Sequence, residues 1–153
     1  MNSGPPKRVV LCDDHEIVRE AVKARMASVP GVEIVGEAAT AEDVVSTVES
    51  LKPDVCIVDV ELPGADGIEA TKEIIKTQPE TRVIIFTAHA QPDLLTLALR
   101  AGASGYVLKS APSEDIARAI EVVASGGTFV GTELGQGAGE VEKLLELLSL
   151  IHI

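Results

Sequence analysis

The sequence predicts an α/β fold: a five-stranded parallel sheet, doubly wound, with helices on both faces. Three observations carry that expectation. Short apolar runs rich in β-branched residues, such as Val9-Val10-Leu11 and Val83-Ile84-Ile85, lack polar alternation and read as strands buried on both faces. Each run is followed by a stretch of helical periodicity, and parallel neighbours joined that way need right-handed crossovers that cover the sheet. Four of the five runs also end on a polar side chain, which gathers those side chains at one edge of one sheet.

Residues 1–6 are polar and expected to be frayed, and residues 7–130 form the domain. The first strand, residues 7–12, ends at the acidic pair Asp13-Asp14. From residue 15 to 29, Ile17, Val18, Ala21, Val22 and Met26 fall on one helical face, and Pro30-Gly31 stops the run. A short strand at 32–36 leads to Thr40, an N-cap followed by acidic first-turn residues, and to Val44, Val45, Val48 and Leu51.

The central strand, residues 54–59, ends on Asp59, and Leu62-Pro63-Gly64 breaks it before a third helix that runs to Thr77. The fourth strand, 82–87, ends on Thr87. Pro92 suits the first turn of a helix over 91–101, with Gly102 capping its end. The fifth strand, 105–108, runs into Lys109, and Ser113 starts a last helix in which Ile116, Ala119, Ile120, Val123 and Ala124 share a face. The first and last helices are expected on the same side of the sheet. In the fourth helix, Leu94, Ala98 and Ala101 make a docking face while Leu95 and Leu99 lie roughly 100° further round, so the stripe is wider than docking alone requires and reads equally as a broad core contact or as a partner surface.

Composition narrows the function. With 153 residues the chain holds one domain with a real core, and no apolar run reaches membrane-spanning length and no signal peptide opens it, so a soluble cytoplasmic protein is expected. A net charge of −11 repels phosphate backbones and argues against direct DNA binding. Cys12 and Cys56 lie inside strand runs without metal-ligand spacing and read as small buried hydrophobes.

The motifs V-L-C-D-D-H, D-V-E-L-P-G-A-D-G, F-T-A-H and L-K-S stand in one order along residues 10–110. In that order and spacing they resemble the receiver domain of two-component response regulators, and the D-D-H opening with A-G-A-S-G-Y-V-L-K-S and G-G-T-F-V is similar to the NarL/FixJ, or LuxR-type, branch. The resemblance implies a flavodoxin-like strand order, 2-1-3-4-5. It also implies a phosphorylation-activated switch rather than an enzyme with an external substrate. Asp59 would accept a phosphoryl group from a sensor histidine kinase; Asp13, Asp14, Asp59 and the backbone carbonyl of Glu61 would hold Mg²⁺; Lys109 would bind the phosphoryl group; Thr87 and Tyr106 would form the switch.

Charge chemistry fits those roles, because clustered carboxylates raise one another's pKa unless a cation compensates, and Mg²⁺ suits hard oxygen ligands. A haloacid-dehalogenase-type phosphatase also uses carboxylates, Thr and Lys, but its D-x-D nucleophile motif is not matched by Asp59-Val60-Glu61. His15 has two readings, metal ligand or phosphoryl carrier against first-turn helix residue, and the second is preferred. Glu61 and His89 read equally as tuners of acyl-phosphate hydrolysis or as exposed loop residues, and Ser110 after Lys109 offers no proline to favour a cis peptide.

Residues 131–139 read as a glycine-rich linker, and residues 140–153 as a short amphipathic helical tail with Val141, Leu144, Leu145, Leu148 and Ile151 on one face. Fourteen residues are too few for the helix-turn-helix domain usual in this branch, so the chain is expected to act as a receiver alone. A tail that docks, self-associates through a helix face into a homodimer, or marks a truncated or non-native end all stay open.

Overall fold

The computed structural model describes residues 4–63, 66–88 and 91–131; the tail expectation and, past Gly131, the linker expectation lie outside the described residues, as does His89. The elements run β1 (Lys7–Cys12), α1 (Glu16–Met26), β2 (Val32–Ala38), α2 (Ala41–Leu51), β3 (Val55–Asp59), α3 (Gly67–Thr77), β4 (Arg82–Thr87), α4 (Pro92–Arg100), β5 (Gly105–Leu108), α5 (Ser113–Ala124) and β6 (Phe129–Val130). All pairings are parallel, in the order β2-β1-β3-β4-β5-β6. The expected order of five is present, and the added β6 is a two-residue edge strand that extends β5 after the glycine pair ending α5.

Alternation along the strands sorts the core into two layers. Val10, Cys12, Cys56, Val58, Val83, Ile85 and Tyr106 face α2, α3 and α4, while Val9, Leu11, Val55, Ile57, Ile84, Phe86 and Val107 face α1 and α5. The first and last helices therefore share a side, as expected. Both cysteines are buried and free, and burial pushes the Cys12 thiol up to about 12.

Local chemistry sets the helix ends. Thr40 Oγ1 accepts from the Asp43 N–H at 3.1 Å and Asp66 Oδ1 from the Glu69 N–H at 2.8 Å, so α2 and α3 begin with side-chain caps. Pro92 occupies the first turn of α4, and Gly102, at φ +105°, follows its C-cap, a backbone conformation that disfavours other residues.

The face of α1 differs from expectation, and that of α4 decides between two readings. In α1 the packed line is Val18, Val22 and Met26, four residues apart, whereas Ala21 is exposed and Ile17 is 83% exposed beside that line. In α4, Leu95, Ala98 and Leu99 pack into the core, Leu94 is half-buried, and Leu97 is 52% exposed. Leu95 and Leu99 thus belong to the core contact rather than to a partner surface. Leu95→Ala is expected to cost about 2–5 kcal/mol, while Leu97→Ala stays within about 0.5 kcal/mol; urea unfolding of the two variants checks this, and equal losses would contradict the packing.

Candidate functional site

The carboxyl ends of β1, β3, β4 and β5 converge at one edge, where open α/β sheets bind ligands. Asp13 follows β1 and is fully buried, Asp59 closes β3 at 2% exposure, Thr87 closes β4 and is buried, and Lys109 follows β5. The sheet brings all four together. Lys109 Nζ lies 2.7 Å from Asp13 Oδ2 and 3.1 Å from Asp59 Oδ2, and 5.9 Å from the Phe86 ring centroid.

Backbone donors hold both buried carboxylates. The Glu61 N–H donates to Asp59 Oδ1 at 3.0 Å, and the His15 N–H donates to Asp13 Oδ1 at 2.9 Å. Lys109 itself is fixed by its N–H to the Thr87 carbonyl at 2.7 Å. The turn after Asp59 is drawn tight by Gly67, whose N–H bonds the Val60 carbonyl at 2.8 Å. A Cβ there would overlap the Asp59 carbonyl oxygen and come within 2.9 Å of Val60 Cα.

Burial raises the pKa of the Asp59 carboxyl, an effect opposed by the Glu61 N–H and Lys109 and reinforced by the Asp13 charge. Burial works to lower the Lys109 ammonium, but Asp13 and Asp59 outweigh it and the net shift is upward. The site is short of positive charge. Asp13, Asp14 and Asp59, with His15, place ligand atoms within 4.8 Å of one another, and one ammonium cannot balance three carboxylates. Asp13 Oδ2 is buried without a well-directed hydrogen bond among the described residues, though the Lys109 ammonium lies close to it. Three clustered carboxylates, all hard oxygen donors, set against a single ammonium fit a divalent cation such as Mg²⁺.

Asp14 and Glu61 are exposed at the rim. Tyr106 is fully buried on the neighbouring strand, its hydroxyl facing the Gln91 backbone, and burial raises its pKa. No peptide bond among the described residues is cis, in keeping with Ser110 after Lys109. Three charged residues beside the site escaped the sequence reading: Arg19, Lys23 and Glu37. Arg19 Nη1 donates to the Asp13 carbonyl at 2.6 Å and its Nε to Glu37 Oε1 at 3.1 Å, while Lys23 holds the other Glu37 oxygen at 2.8 Å. This bridge ties the loop that carries Asp13 to β2; charged residues that recur between α1 and β2 were its only trace in the sequence. A cleft of about 640 Å³ lined by Lys7, Val32, Glu114 and Arg118 opens at the amino end of the strands and shares no residue with the site.

Residues 9–121 match the family described as response regulator receiver domain. The chain belongs to that family. Response regulator GacA of Pseudomonas aeruginosa is 34% identical over 129 residues, covering 84% of this chain and 60% of that protein. Transcriptional regulatory protein DegU of Brevibacillus brevis is 36% identical over 123 residues, covering 80% of this chain and 52% of the relative. The chain thus spans little more than half the length of these relatives. The crystal structure of a two-component response regulator of the LuxR family from Aurantimonas superposes with a TM-score of 0.84 at 36% identity, over 90% of this chain and 98% of that one. The LuxR-type branch expected from the motifs agrees with that neighbour. Receiver domains bind Mg²⁺ at an acidic pocket and interact with histidine kinases, and in this chain Asp13, Asp14 and Asp59 cluster at the sheet edge. No helix among the described residues is long and apolar enough to cross a membrane.

Proposed function

We propose that this receiver takes a phosphoryl group from a sensor histidine kinase onto Asp59, catalysing only that transfer and the later hydrolysis of the aspartyl phosphate, in which water takes the phosphoryl group and inorganic phosphate leaves. The observation that carries this reading is one ammonium, Lys109, reaching two buried carboxylates at a sheet edge. Asp59 supplies the nucleophilic oxygen: its bond to phosphorus forms as the donor's phosphorus–nitrogen bond breaks. The Glu61 N–H and Lys109 hold that carboxylate in place before the reaction, so little reorganisation is needed. Mg²⁺, held by Asp13, Asp14, Asp59 and the Glu61 backbone carbonyl, would supply the charge that neutralises the phosphoryl oxygens.

Lys109 then shifts its ion pair toward the new phosphoryl oxygens, and the Thr87 hydroxyl donates to another. Thr87 and Tyr106 form the switch. Because the Tyr106 ring is already fully buried here, an inward turn on phosphorylation is replaced by a shift in population between buried and exposed ring positions. Moving such an equilibrium from 1:99 to 99:1 takes about 5.5 kcal/mol of differential binding. The full regulator is proposed to act on transcription in the cytoplasm, with this acidic chain not itself binding duplex DNA. Self-association through a helix face would have Leu97 as the exposed leucine of α4.

The test is a thermal and NMR titration. Mg²⁺ at 100 times its Kd should add about 2.7 kcal/mol of stability, and beryllofluoride, a phosphoryl mimic, should then shift the Thr87 and Tyr106 resonances. No Mg²⁺ stabilisation would contradict the site; shifts confined to Asp59 and its neighbours would contradict the switch.

A further inference from the structure

Arg19 lies outside the acidic pocket, yet it fixes the peptide that joins two of the pocket's carboxylates. The Asp13 backbone is held on both sides: its N–H donates to the Ala38 carbonyl of β2 at 3.1 Å, and its carbonyl accepts from Arg19 Nη1 at 2.6 Å. A peptide unit is planar, so a carbonyl fixed in direction also fixes the N–H and Cα of the next residue, Asp14. The two carboxylates depend on this to different degrees. Asp13 has its own side chain gripped by the His15 N–H and by Lys109. Asp14 stands at the rim beside the exposed His15 ring, its side chain 32% exposed, so its direction is set chiefly through its backbone.

The guanidinium is a rigid fork, and both of its arms are used. Nη1 serves the Asp13 carbonyl while Nε donates to Glu37 Oε1 at 3.1 Å, and Lys23 Nζ holds Glu37 Oε2 at 2.8 Å. Arg19 and Lys23, four residues apart on α1, share the helix face that meets Glu37. Lys23 and, less strongly, Arg19 hold the Glu37 carboxyl below the ordinary carboxylate range against the opposing effect of burial, so it is charged at neutral pH. An independent feature of the sheet brings Glu37 to this place. Val9 pairs with Ile34 but Val10 pairs with Gly36, so β2 carries one extra residue against β1. Ile34 packs in the α1 and α5 layer and Val35 in the α2 layer, and a Cβ on Gly36 would also meet Thr47 and Leu51 of α2, so alternation resumes one residue late. Glu37 thereby pairs with Leu11 and falls on the α1 side; in an unbroken register it would pair with Cys12 and face α2. Bulges are rare in parallel sheets, and beside functional sites they re-aim a side chain.

We propose that Arg19, aimed by Glu37 and Lys23, is a positioning residue that sets the divalent-cation affinity of the pocket by holding the Asp13–Asp14 peptide. The inference rests on the receiver reading for the identity of the cation and concerns how tightly it is held. The sign of the effect separates this role from simple electrostatics. Arg19 places a positive charge beside the carboxylates, and by Coulomb repulsion alone its removal would strengthen the binding of a divalent cation. Loss of the fork instead frees the Asp13 carbonyl and lets Asp14 turn out of line, and removal of outer-shell partners of this kind costs about 10- to 100-fold in metal affinity. A role confined to folding would lower Tm and leave the affinity of the folded protein as it was.

The experiment titrates the full chain and the variants Arg19→Gln, Arg19→Lys and Glu37→Gln with Mg²⁺ by calorimetry, well below their melting temperatures and with circular dichroism as the check on folding. Arg19→Gln should bind Mg²⁺ about 10- to 100-fold more weakly than the wild type. Arg19→Lys keeps the charge but cannot serve both acceptors, and Glu37→Gln leaves the fork without its anionic partner; both should fall between Arg19→Gln and the wild type. Phosphoryl uptake from acetyl phosphate should need correspondingly more Mg²⁺ for half-saturation, with a smaller change in the rate at saturation. An Arg19→Gln affinity equal to or above that of the wild type would overturn the inference. If Arg19→Gln does not fold, wild-type affinity in both Arg19→Lys and Glu37→Gln would overturn it as well. Weakened variants of a wild type that binds Mg²⁺ but takes up no phosphoryl group would sustain the positioning role and count against the phosphoryl reading alone. A wild type that binds no Mg²⁺ would overturn both.

Discussion

Asp59→Asn is expected to take up no phosphoryl group from acetyl phosphate or a phosphorylated kinase, while keeping the fold. The amide lacks a nucleophilic carboxylate oxygen, and the other buried acid, Asp13, is held away from the attacking position by the His15 N–H and Lys109. The same variant carries a stability signature. Burial places the folded Asp59 pKa above its unfolded value, so the folded state binds the proton more tightly and loses stability as pH rises through that window. Above the folded pKa the full cost is present. Without added metal, Asp59→Asn should therefore be more stable than the wild type at neutral pH, and the gain should vanish as pH falls toward the ordinary carboxylate range. A wild type and variant with identical melting profiles across that range would show that the carboxylate is not strained by burial.

Gly67→Ala should be among the more damaging single substitutions outside the acidic residues. Its Cβ would collide with the Asp59 carbonyl oxygen and press on Val60 Cα, both backbone atoms that cannot rotate away. Either α3 lifts from the sheet or the Asp59 turn opens. The expected loss is about 3 kcal/mol, the upper end of ordinary overpacking costs, and roughly 10 °C in Tm. Phosphoryl uptake should fall by up to about 100-fold, since displacement of the nucleophile by about 1 Å is enough for that. Calorimetric melting and a labelling time course would check both. An unchanged Tm would mean that the turn has slack the structure does not show.

Much of this was legible in the sequence because the strands are buried on both faces and write themselves as uninterrupted apolar runs. Once their parallel order follows, Asp13, Asp59, Thr87 and Lys109 must meet at one edge, although 96 positions separate the first from the last. The caps at Thr40 and Asp66 are likewise local chemistry, readable from a few neighbouring residues. What escaped is what depends on tertiary direction. α4 carries leucines at 94, 95, 97 and 99, an apolar arc too wide for periodicity to choose which part meets the sheet. Ile17 was placed on the packed face of α1 for the same reason, and lies beside it. β6 has two residues, too few for any pattern to register. The Arg19–Glu37 bridge joins residues 18 apart on different elements, and only the β1–β2 pairing shows that they touch.

The most direct test of the central claim is to incubate the chain with acetyl phosphate in Mg²⁺ and in EDTA, then read the intact mass and map the modified residue by fragmentation. The account predicts one phosphoryl group per chain, on Asp59, formed in Mg²⁺ and absent in EDTA. Equal labelling in EDTA, or a label carried by His15, would contradict it.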